Sequence, residues 1–165
     1  MQPALALRGA AWHHHLNRTL IKGKQITWMG VPALKNVLDA WVLQEILYET
    51  RPDLVVEIGS WAGGSALYLA HLMDCLGRGR VVSVDRDRSA WRVAHPRISL
   101  VTGDSASPET LRAVQTACHG QTAMVIHDGD HHRAAVLRDL LGYAEFVSVG
   151  HYLVVEDGIA DAFTP

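Results

Sequence analysis

Apolar positions follow two different spacings along this chain. Five short apolar runs, rich in β-branched residues, predict buried β-strands. They begin at Leu54, Arg80, Ile98, Ala123 and Tyr152. Between the runs, apolar residues recur every three or four positions, which is typical of helices that bury one face. Strands that alternate with helices favour a parallel sheet covered by helices on both sides.

The helical segments have recognisable ends. The longest one covers 34–50 and ends before Pro52, because a proline disfavours helical geometry in the residue that precedes it. Ser107 followed by Pro108 is a typical helix start, with a capping hydroxyl and a proline in the first turn. The remaining helices are predicted over 66–76, from Ser107 to about Cys118, and over 134–144.

The loop after the first strand is the most informative stretch of the sequence. The strand ends in Glu57 and Ile58, and glycines follow at positions 59, 63 and 64, before a helix. Glycine lets a ligand approach the backbone closely, and a helix N-terminus offers unpaired N–H groups. A nucleotide-like ligand is therefore predicted here, although a structural turn with no ligand is the simpler alternative.

The glycine spacing narrows the choice of ligand. The dinucleotide fingerprint Gly-x-Gly-x-x-Gly has its second glycine where this chain has Trp61. The observed pattern is instead Glu57-x-Gly59-x-x-x-Gly63-Gly64, which resembles the first motif of S-adenosylmethionine (SAM)-dependent methyltransferases.

Carboxylates follow nearly every predicted strand. In a parallel sheet the carboxyl ends of the strands lie at one edge, where ligands bind. Each acid taken alone is explained equally well as a turn or cap residue, but the whole set is not. The set consists of Glu57, Asp85, Asp104, Asp128, Asp130, Glu156 and Asp157.

Three residues are predicted to contact a nucleoside. Asp85 lies 26 residues after Gly59, where an acid accepts hydrogen bonds from both ribose hydroxyls. Asp104 and Ser105 follow the third strand and are placed to meet the adenine amino group. These assignments also suit an adenine dinucleotide, so they indicate a nucleoside rather than a reaction.

A second group of acids predicts a metal site. If the fourth and fifth strands are neighbours, about 4.8 Å apart, then Asp130, Glu156 and Asp157 converge. Three crowded carboxylates require a cation, and oxygen ligands favour Mg²⁺, with Mn²⁺ or Ca²⁺ as alternatives. Such an ion binds a substrate hydroxyl and lowers its pKa. The structural alternative is a turn at 128–130 and a helix cap at 156–157.

His131 is the candidate general base for a hydroxyl proton, and His132 is its rival. Either one also suits a role in capping or lining the next helix. An iron facial triad fits poorly, since the second residue after His127 is a glycine and not a carboxylate.

Composition limits the number of domains, the class of partner and the cellular setting, but it does not identify a site. The 165 residues are 48% hydrophobic with a net charge of −2, which predicts a single domain and no nucleic-acid partner. Cys75 and Cys118 lack metal-ligand spacing, so we expect reduced thiols and a cytoplasmic setting. No signal peptide and no membrane span are predicted. Residues 1–30 show no clear period and are interpreted as an N-terminal arm or lid.

An ordered set of motifs resembles a known family. The motifs are Thr27-Trp28-Met29-Gly30, Gln44-Glu45-Ile46, Arg51-Pro52-Asp53, Glu57-Ile58-Gly59 with Gly63-Gly64-Ser65-Ala66, His95-Pro96-Arg97-Ile98, Asp128-Gly129-Asp130-His131, and Tyr152-Leu153-Val154-Val155-Glu156-Asp157. Together they look like the cephalosporin hydroxylase family, which has the class I SAM-dependent methyltransferase fold and is similar to rhamnosyl and macrocin O-methyltransferases. The resemblance implies SAM at the glycine loop and Asp85. It also implies Mg²⁺ at Asp130, Glu156 and Asp157.

The resulting expectation is a Rossmann-like sheet of order 3-2-1-4-5, counted from the strand at Leu54, over residues 31–165. C-terminal strands six and seven of the class I fold are expected to be absent, which makes the domain incomplete and its catalytic competence doubtful. The open edge at the fifth strand is expected to be covered by a homo-oligomer, by a partner protein, or by a C-terminal tail that this sequence lacks.

The predicted function is Mg²⁺-dependent methyl transfer from SAM to a hydroxyl of a small molecule, such as a sugar or a natural-product intermediate. His131 is the predicted base. The predicted cofactor-binding residues are Glu57, Gly59, Ser60, Gly63, Asp85, Asp104, Ser105 and Asp128. One alternative is a non-catalytic SAM-binding accessory protein. The other is a nicotinamide-dependent oxidoreductase, which Trp61 and the acid trio disfavour.

Overall fold

A parallel sheet forms the centre of the molecule in the computed structural model, which describes residue 15 and residues 26–158. The strands are β1 (Thr27–Trp28), β2 (Val31–Pro32), β3 (Leu54–Ile58), β4 (Arg80–Asp85), β5 (Ile98–Thr102), β6 (Ala123–His127) and β7 (Leu153–Val155). The α-helices are α1 (Val37–Thr50), α2 (Gly64–Leu76), α3 (Pro108–Cys118) and α4 (Arg133–Tyr143), and a 3₁₀ helix follows at Ala144–Phe146.

Five strands make up the sheet, in the order β5-β4-β3-β6-β7, and all neighbours are parallel. Strand β3 is central, and Ile58 at its end is level with Val84 on one side and His127 on the other. The residues that follow these three strands therefore emerge together at the carboxyl edge.

The number of strands differs from the expectation. The described residues contain seven strands rather than five, so the order predicted as 3-2-1-4-5 from the strand at Leu54 is 5-4-3-6-7 when all strands are counted along the chain. The two additional strands, β1 and β2, pair as an antiparallel hairpin and precede the sheet. Strands of two residues are too short to show a period, which is why the apolar pattern did not predict them. Most of the predicted arm over 1–30 lies outside the described residues.

The predicted helices are present, and capping residues define their bounds. Helix α1 begins three residues later than the apolar pattern suggested, because Leu34 has a φ of 45° and Asn36 caps the helix by accepting a hydrogen bond from the Leu38 N–H at 3.0 Å. It ends at Arg51, which has a left-handed φ of 47°. Ser107 caps α3 as predicted.

Each face of the sheet carries a separate hydrophobic cluster. Helices α1 and α2 cover one face, and α3, α4 and the 3₁₀ helix cover the other. The first cluster comprises Leu43, Leu47, Val55, Ala66, Leu69, Ala70, Met73, Val81, Met124 and Ile126. The second comprises Leu54, Val56, Ile58, Val82, Val84, Val114, Ala123, Val125, Tyr143 and Phe146. Burial of both faces explains why β3 and β6 are apolar apart from Glu57 and His127.

Two leucines of α1 provide a matched test of this packing. Leu47 is fully buried, whereas 59% of Leu38 is exposed. We expect Leu47→Ala to lower the free energy of unfolding by about 3 kcal/mol, because a cavity replaces a packed side chain. Leu38→Ala should change it by less than about 0.5 kcal/mol. Urea unfolding of both variants checks this, and equal losses would contradict the described orientation of α1.

No helix within residues 26–158 is both long enough and apolar enough to cross a membrane.

Candidate functional site

The glycine loop and Asp128 meet at the carboxyl edge of the sheet. The Gly59 N–H donates to the Val84 carbonyl at 2.8 Å, and the Asp128 N–H donates to the Ile58 carbonyl at 2.8 Å. Gly59 has a φ of 82°, and a Cβ atom there would lie 2.2 Å from the Asp128 carbonyl oxygen. Only glycine is compatible with this combination of backbone angle and close approach.

Replacement of Gly59 tests how tightly these two segments pack. We expect Gly59→Ala to lower the free energy of unfolding by at least about 3 kcal/mol, because a strained φ is combined with a backbone clash. Gly150→Ala is the matched control, since Gly150 has nearly the same φ, 83°, but no atom within 4 Å of the added Cβ. It should cost about 1 kcal/mol. Chemical denaturation measures both, and similar values for the two variants would contradict the described contact.

Asp85 is held by the backbone of the glycine loop. One of its oxygens accepts hydrogen bonds from the N–H groups of Ser60 at 2.8 Å and Trp61 at 2.9 Å. The other oxygen accepts from the Asp87 N–H at 3.1 Å. Burial alone raises the pKa of Asp85, but these three donors outweigh it and the net shift is downward. The structure thus joins the end of β4 to the loop, with an ionised carboxylate between them.

Ser60 and Gly63 lie in the same loop. The Ser60 hydroxyl forms a 2.6 Å hydrogen bond with the hydroxyl of Ser83. Gly63 is the N-cap of α2, with a left-handed φ of 91°, and no side chain within residues 26–158 caps this helix. The N–H groups of its first turn therefore face the carboxyl edge without a competing side chain from this part of the chain.

Glu57 is fully buried beneath this edge. Within residues 26–158 its carboxylate oxygens form no hydrogen bond of regular geometry, although the hydroxyls of Ser65 and Ser60 lie close enough to lower its pKa. Burial raises the pKa of Glu57 to about 7, although the charge of Lys35 opposes the shift. The residue lies below the loop rather than on its surface, so its charge acts on the edge from within the core.

Lys35 is a charged residue of the site that sequence reasoning missed. Its ammonium group lies 2.7 Å from Asp128 Oδ2 and 2.5 Å from Glu156 Oε1, and only 4% of the residue is exposed. Burial by itself lowers the pKa of Lys35, but the charges of Asp128, Glu156 and Glu57 raise it overall. The lysine therefore remains an ammonium ion that links the ends of β6 and β7.

The three predicted metal ligands, Asp130, Glu156 and Asp157, each have different neighbours. Asp157 lies near Asp128 and His131, and donor atoms of these three residues are all within 4.8 Å of one another. Glu156 is paired with Lys35, and burial raises the pKa of Glu156 to about 7. The remaining predicted ligand has a different neighbour.

That ligand is Asp130, which pairs with His132. Its Oδ1 accepts from the His132 N–H at 2.9 Å and lies 2.5 Å from the ring Nδ1. The backbone hydrogen bond and the ring together lower the pKa of Asp130. His131 points elsewhere, with its Nε2 3.6 Å from Asp157 Oδ2. The two adjacent histidines thus pair with two different acids.

The donor set of Asp128, His131 and Asp157 suits a divalent cation. Carboxylate oxygens are the ligands that Mg²⁺ prefers, and one imidazole is also compatible with Mn²⁺. From the sequence, Asp128 was predicted to bind the cofactor. The structure places it beside Asp157 as well, so it is also a candidate metal ligand.

Asp104 and Ser105, which were predicted to contact adenine, both interact with other side chains of the chain. Asp104 is exposed and forms a 3.1 Å ion pair with Arg138. The Ser105 hydroxyl donates to both oxygens of Asp139, at 2.8 and 2.9 Å. Asp139 is buried and also lies 3.1 Å from His127 Nε2, so it connects the loop after β5 to the end of β6. The only sequence signal for Asp139 was an acid at helical spacing from Tyr143.

A cavity of about 280 Å³ opens beside the acids. Its apolar wall comes from α4 and β7, and includes Leu137, Leu140 and Val155. His131 and Asp157 line its polar side. A hydroxylated ligand with an apolar portion fits these surroundings chemically.

Sequence comparison gives a consistent set of relatives. The family model described as rhamnosyl O-methyltransferase/CmcI matches residues 22–164. The chain is 38% identical over 137 residues to a rhamnosyl O-methyltransferase of Mycobacterium leprae (strain TN), a match that covers 79% of this chain and 59% of the relative. It is 35% identical to the protein of that name from Mycobacterium tuberculosis (strain H37Rv), covering 79% and 56%. The chain therefore spans less than two thirds of the length of these curated relatives.

Solved structures show the same fold. CmcI in a form described as Mg-SAM superposes with a TM-score of 0.68 at 24% identity, covering 85% of this chain and 60% of CmcI. The MycE methyltransferase of the mycinamycin pathway, in complex with Mg and SAH, gives 0.56 at 22% identity, covering 76% and 33%. A putative caffeoyl-CoA O-methyltransferase from Staphylococcus aureus gives 0.64 at 13% identity, covering 93% and 73%. At these identities the likeness establishes the fold, and the predicted Rossmann-like methyltransferase architecture is confirmed.

Proposed function

This chain belongs to the rhamnosyl O-methyltransferase/CmcI family, and we propose that it transfers a methyl group from SAM to a hydroxyl of a small molecule, in a Mg²⁺-dependent reaction. The observation that carries the proposal is the position of two features at one sheet edge. Asp85 is fixed to the glycine loop, and the cluster of Asp128, His131 and Asp157 follows the neighbouring strands. The described forms of CmcI and MycE with Mg and SAM or SAH support the choice of ligands.

The SAM-binding part of the proposal rests on the glycine loop. Asp85 is already oriented by two loop N–H groups, so its ionised carboxylate is available to accept hydrogen bonds from ribose hydroxyls. The absence of a Cβ at Gly59 lets the loop lie directly against the backbone of Asp128, which brings the loop and Asp128 to the same edge. Asp104 remains the candidate for the adenine amino group, because the Ser105 hydroxyl is engaged by Asp139.

The catalytic part assigns separate tasks to the acids and the histidine. When bound, SAM supplies an electrophilic methyl group and Mg²⁺ supplies a Lewis acid that lowers the pKa of the acceptor hydroxyl. Asp128 and Asp157 are the carboxylates best placed to hold the ion, and Glu156 and Asp130 are the further candidates from the sequence. In this scheme the two carboxylates hold the ion, and His131, whose Nε2 lies 3.6 Å from Asp157 Oδ2, accepts the hydroxyl proton instead of binding the ion. The remaining contribution of the chain is to position acceptor and donor.

The acceptor class follows from the relatives and the cavity. Two relatives are named for rhamnosyl methylation, and one MycE structure is in complex with mycinamycin VI. The cavity beside Asp157 has an apolar wall and a polar rim. A deoxysugar attached to an apolar aglycone is therefore the proposed acceptor, with the free hydroxyl at the acid cluster.

The test is methyl transfer from isotope-labelled SAM to a panel of rhamnosides and macrolide glycosides, with Mg²⁺ and with EDTA. We expect label in at least one glycoside with Mg²⁺ and about a hundredfold less with EDTA. SAM binding without transfer to any acceptor would contradict the enzymatic proposal and favour the non-catalytic accessory role. Transfer that is equal in EDTA would contradict the metal dependence alone.

A further inference from the structure

Lys35 is an unusual neighbour for a cation site. It lies between β2 and α1, yet its ammonium group reaches residues 93 and 121 positions away in sequence. The β1–β2 hairpin sets this path, because a Cβ atom at Gly64 would lie 2.3 Å from the Pro32 carbonyl oxygen. The segment before α1 is thereby packed against the start of α2. Lys35 is thus directed into the carboxyl edge by close backbone packing.

The ammonium group neutralises acids that would otherwise repel one another. Asp128 and Glu156 each contact it directly, and their side chains are only 20% and 11% exposed. Glu57 adds a third carboxyl group from below, fully buried. Removing one partner from a buried ion pair leaves an uncompensated charge, so the lysine stabilises this cluster when no other cation is present.

The same contacts place Lys35 in conflict with a divalent ion. A Mg²⁺ ligand oxygen lies about 2.0–2.1 Å from the ion, so an ion held by Asp128 would approach the ammonium group closely. A single and a double positive charge at such separations repel strongly in a largely buried setting. Charge repulsion thus opposes simultaneous tight contact of both cations with the same carboxylates.

We propose that Lys35 is a built-in counter-ion that competes with the divalent cation for Asp128 and Glu156. It keeps the two carboxylates paired before the metal binds, and it weakens metal affinity by the free energy needed to displace it. This inference rests on the proposed function, since it takes the acids after β6 and β7 as the cation site. It assigns Lys35 a positioning role and no contact with the reacting atoms.

The experiment measures Mn²⁺ binding by electron paramagnetic resonance in the absence of SAM. We expect Lys35→Gln to bind Mn²⁺ at least about tenfold more tightly than the unmodified chain. Arg133→Gln is the matched control, because Arg133 lines the same cavity as Glu156 and Asp157 but forms an ion pair with neither acid. Loss of a charge that is not in an ion pair with these acids should change the affinity by less than about threefold.

A second pair of variants gives an answer even if Lys35→Gln does not fold. Lys35→Gln leaves two half-buried acids without their counter-ion, so we expect a lower melting temperature in EDTA and a larger gain on adding Mn²⁺ than for the unmodified chain. If that variant does not fold, Glu156→Gln is compared with the double variant Lys35→Gln/Glu156→Gln, which removes both charges of one pair. Competition predicts tighter Mn²⁺ binding by the double variant.

Equal or weaker Mn²⁺ binding after loss of Lys35 would overturn the proposal, and weaker binding would mean that the lysine orients the metal ligands instead. Absence of Mn²⁺ binding from every variant, in samples that still bind SAM, would overturn it together with the metal part of the proposed function. Tighter binding in the Lys35 variants without methyl transfer to any glycoside would support the competition while contradicting the acceptor class.

Discussion

Asp85→Ala is expected to weaken SAM binding by at least about a hundredfold. An ionised acceptor that binds two ribose hydroxyls contributes about 3 kcal/mol, which corresponds to that factor. The same substitution leaves the N–H groups of Ser60 and Trp61 without their carboxylate acceptor, so the glycine loop also loses its anchor. Isothermal titration calorimetry of SAM into the variant measures the loss.

Asp87→Ala is the matched control for Asp85. Asp87 lies two residues further along, and its carboxylate accepts hydrogen bonds from the N–H and hydroxyl of Ser89 at 2.8 Å each. It is an acid of the same size that does not contact the glycine loop through its side chain. We expect its replacement to change SAM affinity by less than about threefold. Equal losses in both variants would indicate a general electrostatic effect and contradict a specific role for Asp85.

Asp157→Asn is expected to weaken Mn²⁺ binding by at least about a hundredfold, and Asp128→Asn by a similar factor. Each substitution removes a charged oxygen from the cluster formed with His131, and a neutral amide is a poorer ligand for a hard cation. Mn²⁺ titration followed by paramagnetic resonance gives the affinities, and circular dichroism with thermal unfolding of the same samples verifies that they are folded.

Asp130→Asn distinguishes the structure-based ligand set from the spacing-based one. The Asp130 carboxylate is paired with His132, so we expect its replacement to change Mn²⁺ affinity by less than about threefold. Loss of metal binding in Asp130→Asn with retention in Asp128→Asn would favour the ligands predicted from the sequence. That pattern would contradict the central position of Asp128.

Local patterns in the sequence were sufficient for the sheet and its glycine loop. The buried strands β3 and β6 are apolar apart from Glu57 and His127, and the predicted cap at Ser107 binds a backbone N–H three residues further along. Asp85 was placed correctly at the end of β4 because a strand end is visible in the pattern. Features of this kind depend on residues that are close in sequence, so they can be predicted from the local pattern.

The features that were missed depend on contacts between distant segments. Lys35 contacts Asp128 and Glu156, which lie 93 and 121 residues further along the chain. No local pattern distinguishes this lysine from a solvent-exposed one. The spacing also did not separate Asp128 from Asp130, because the direction of each side chain depends on how the chain turns after β6. Asp139 likewise has its partners, Ser105 and His127, on other elements.

The outer face of α1 shows a further limit of periodicity. The apolar pattern over 34–50 predicted one buried stripe, yet Trp41 is 68% exposed and Val37 is 58% exposed. Leu43 and Leu47 alone carry the fully buried contacts of this helix. A pattern of apolar residues shows which positions are apolar, but it does not show how many of them the rest of the fold covers.

Calorimetric titration of SAM into the full chain tests whether the glycine loop and Asp85 form a SAM site. We expect one site with micromolar affinity, equivalent to about −8 kcal/mol, and no heat of binding with NAD⁺ under the same conditions. A folded sample that does not bind SAM would contradict the assignment of the glycine loop and Asp85 as the cofactor site. Binding of NAD⁺ in place of SAM would favour the oxidoreductase alternative.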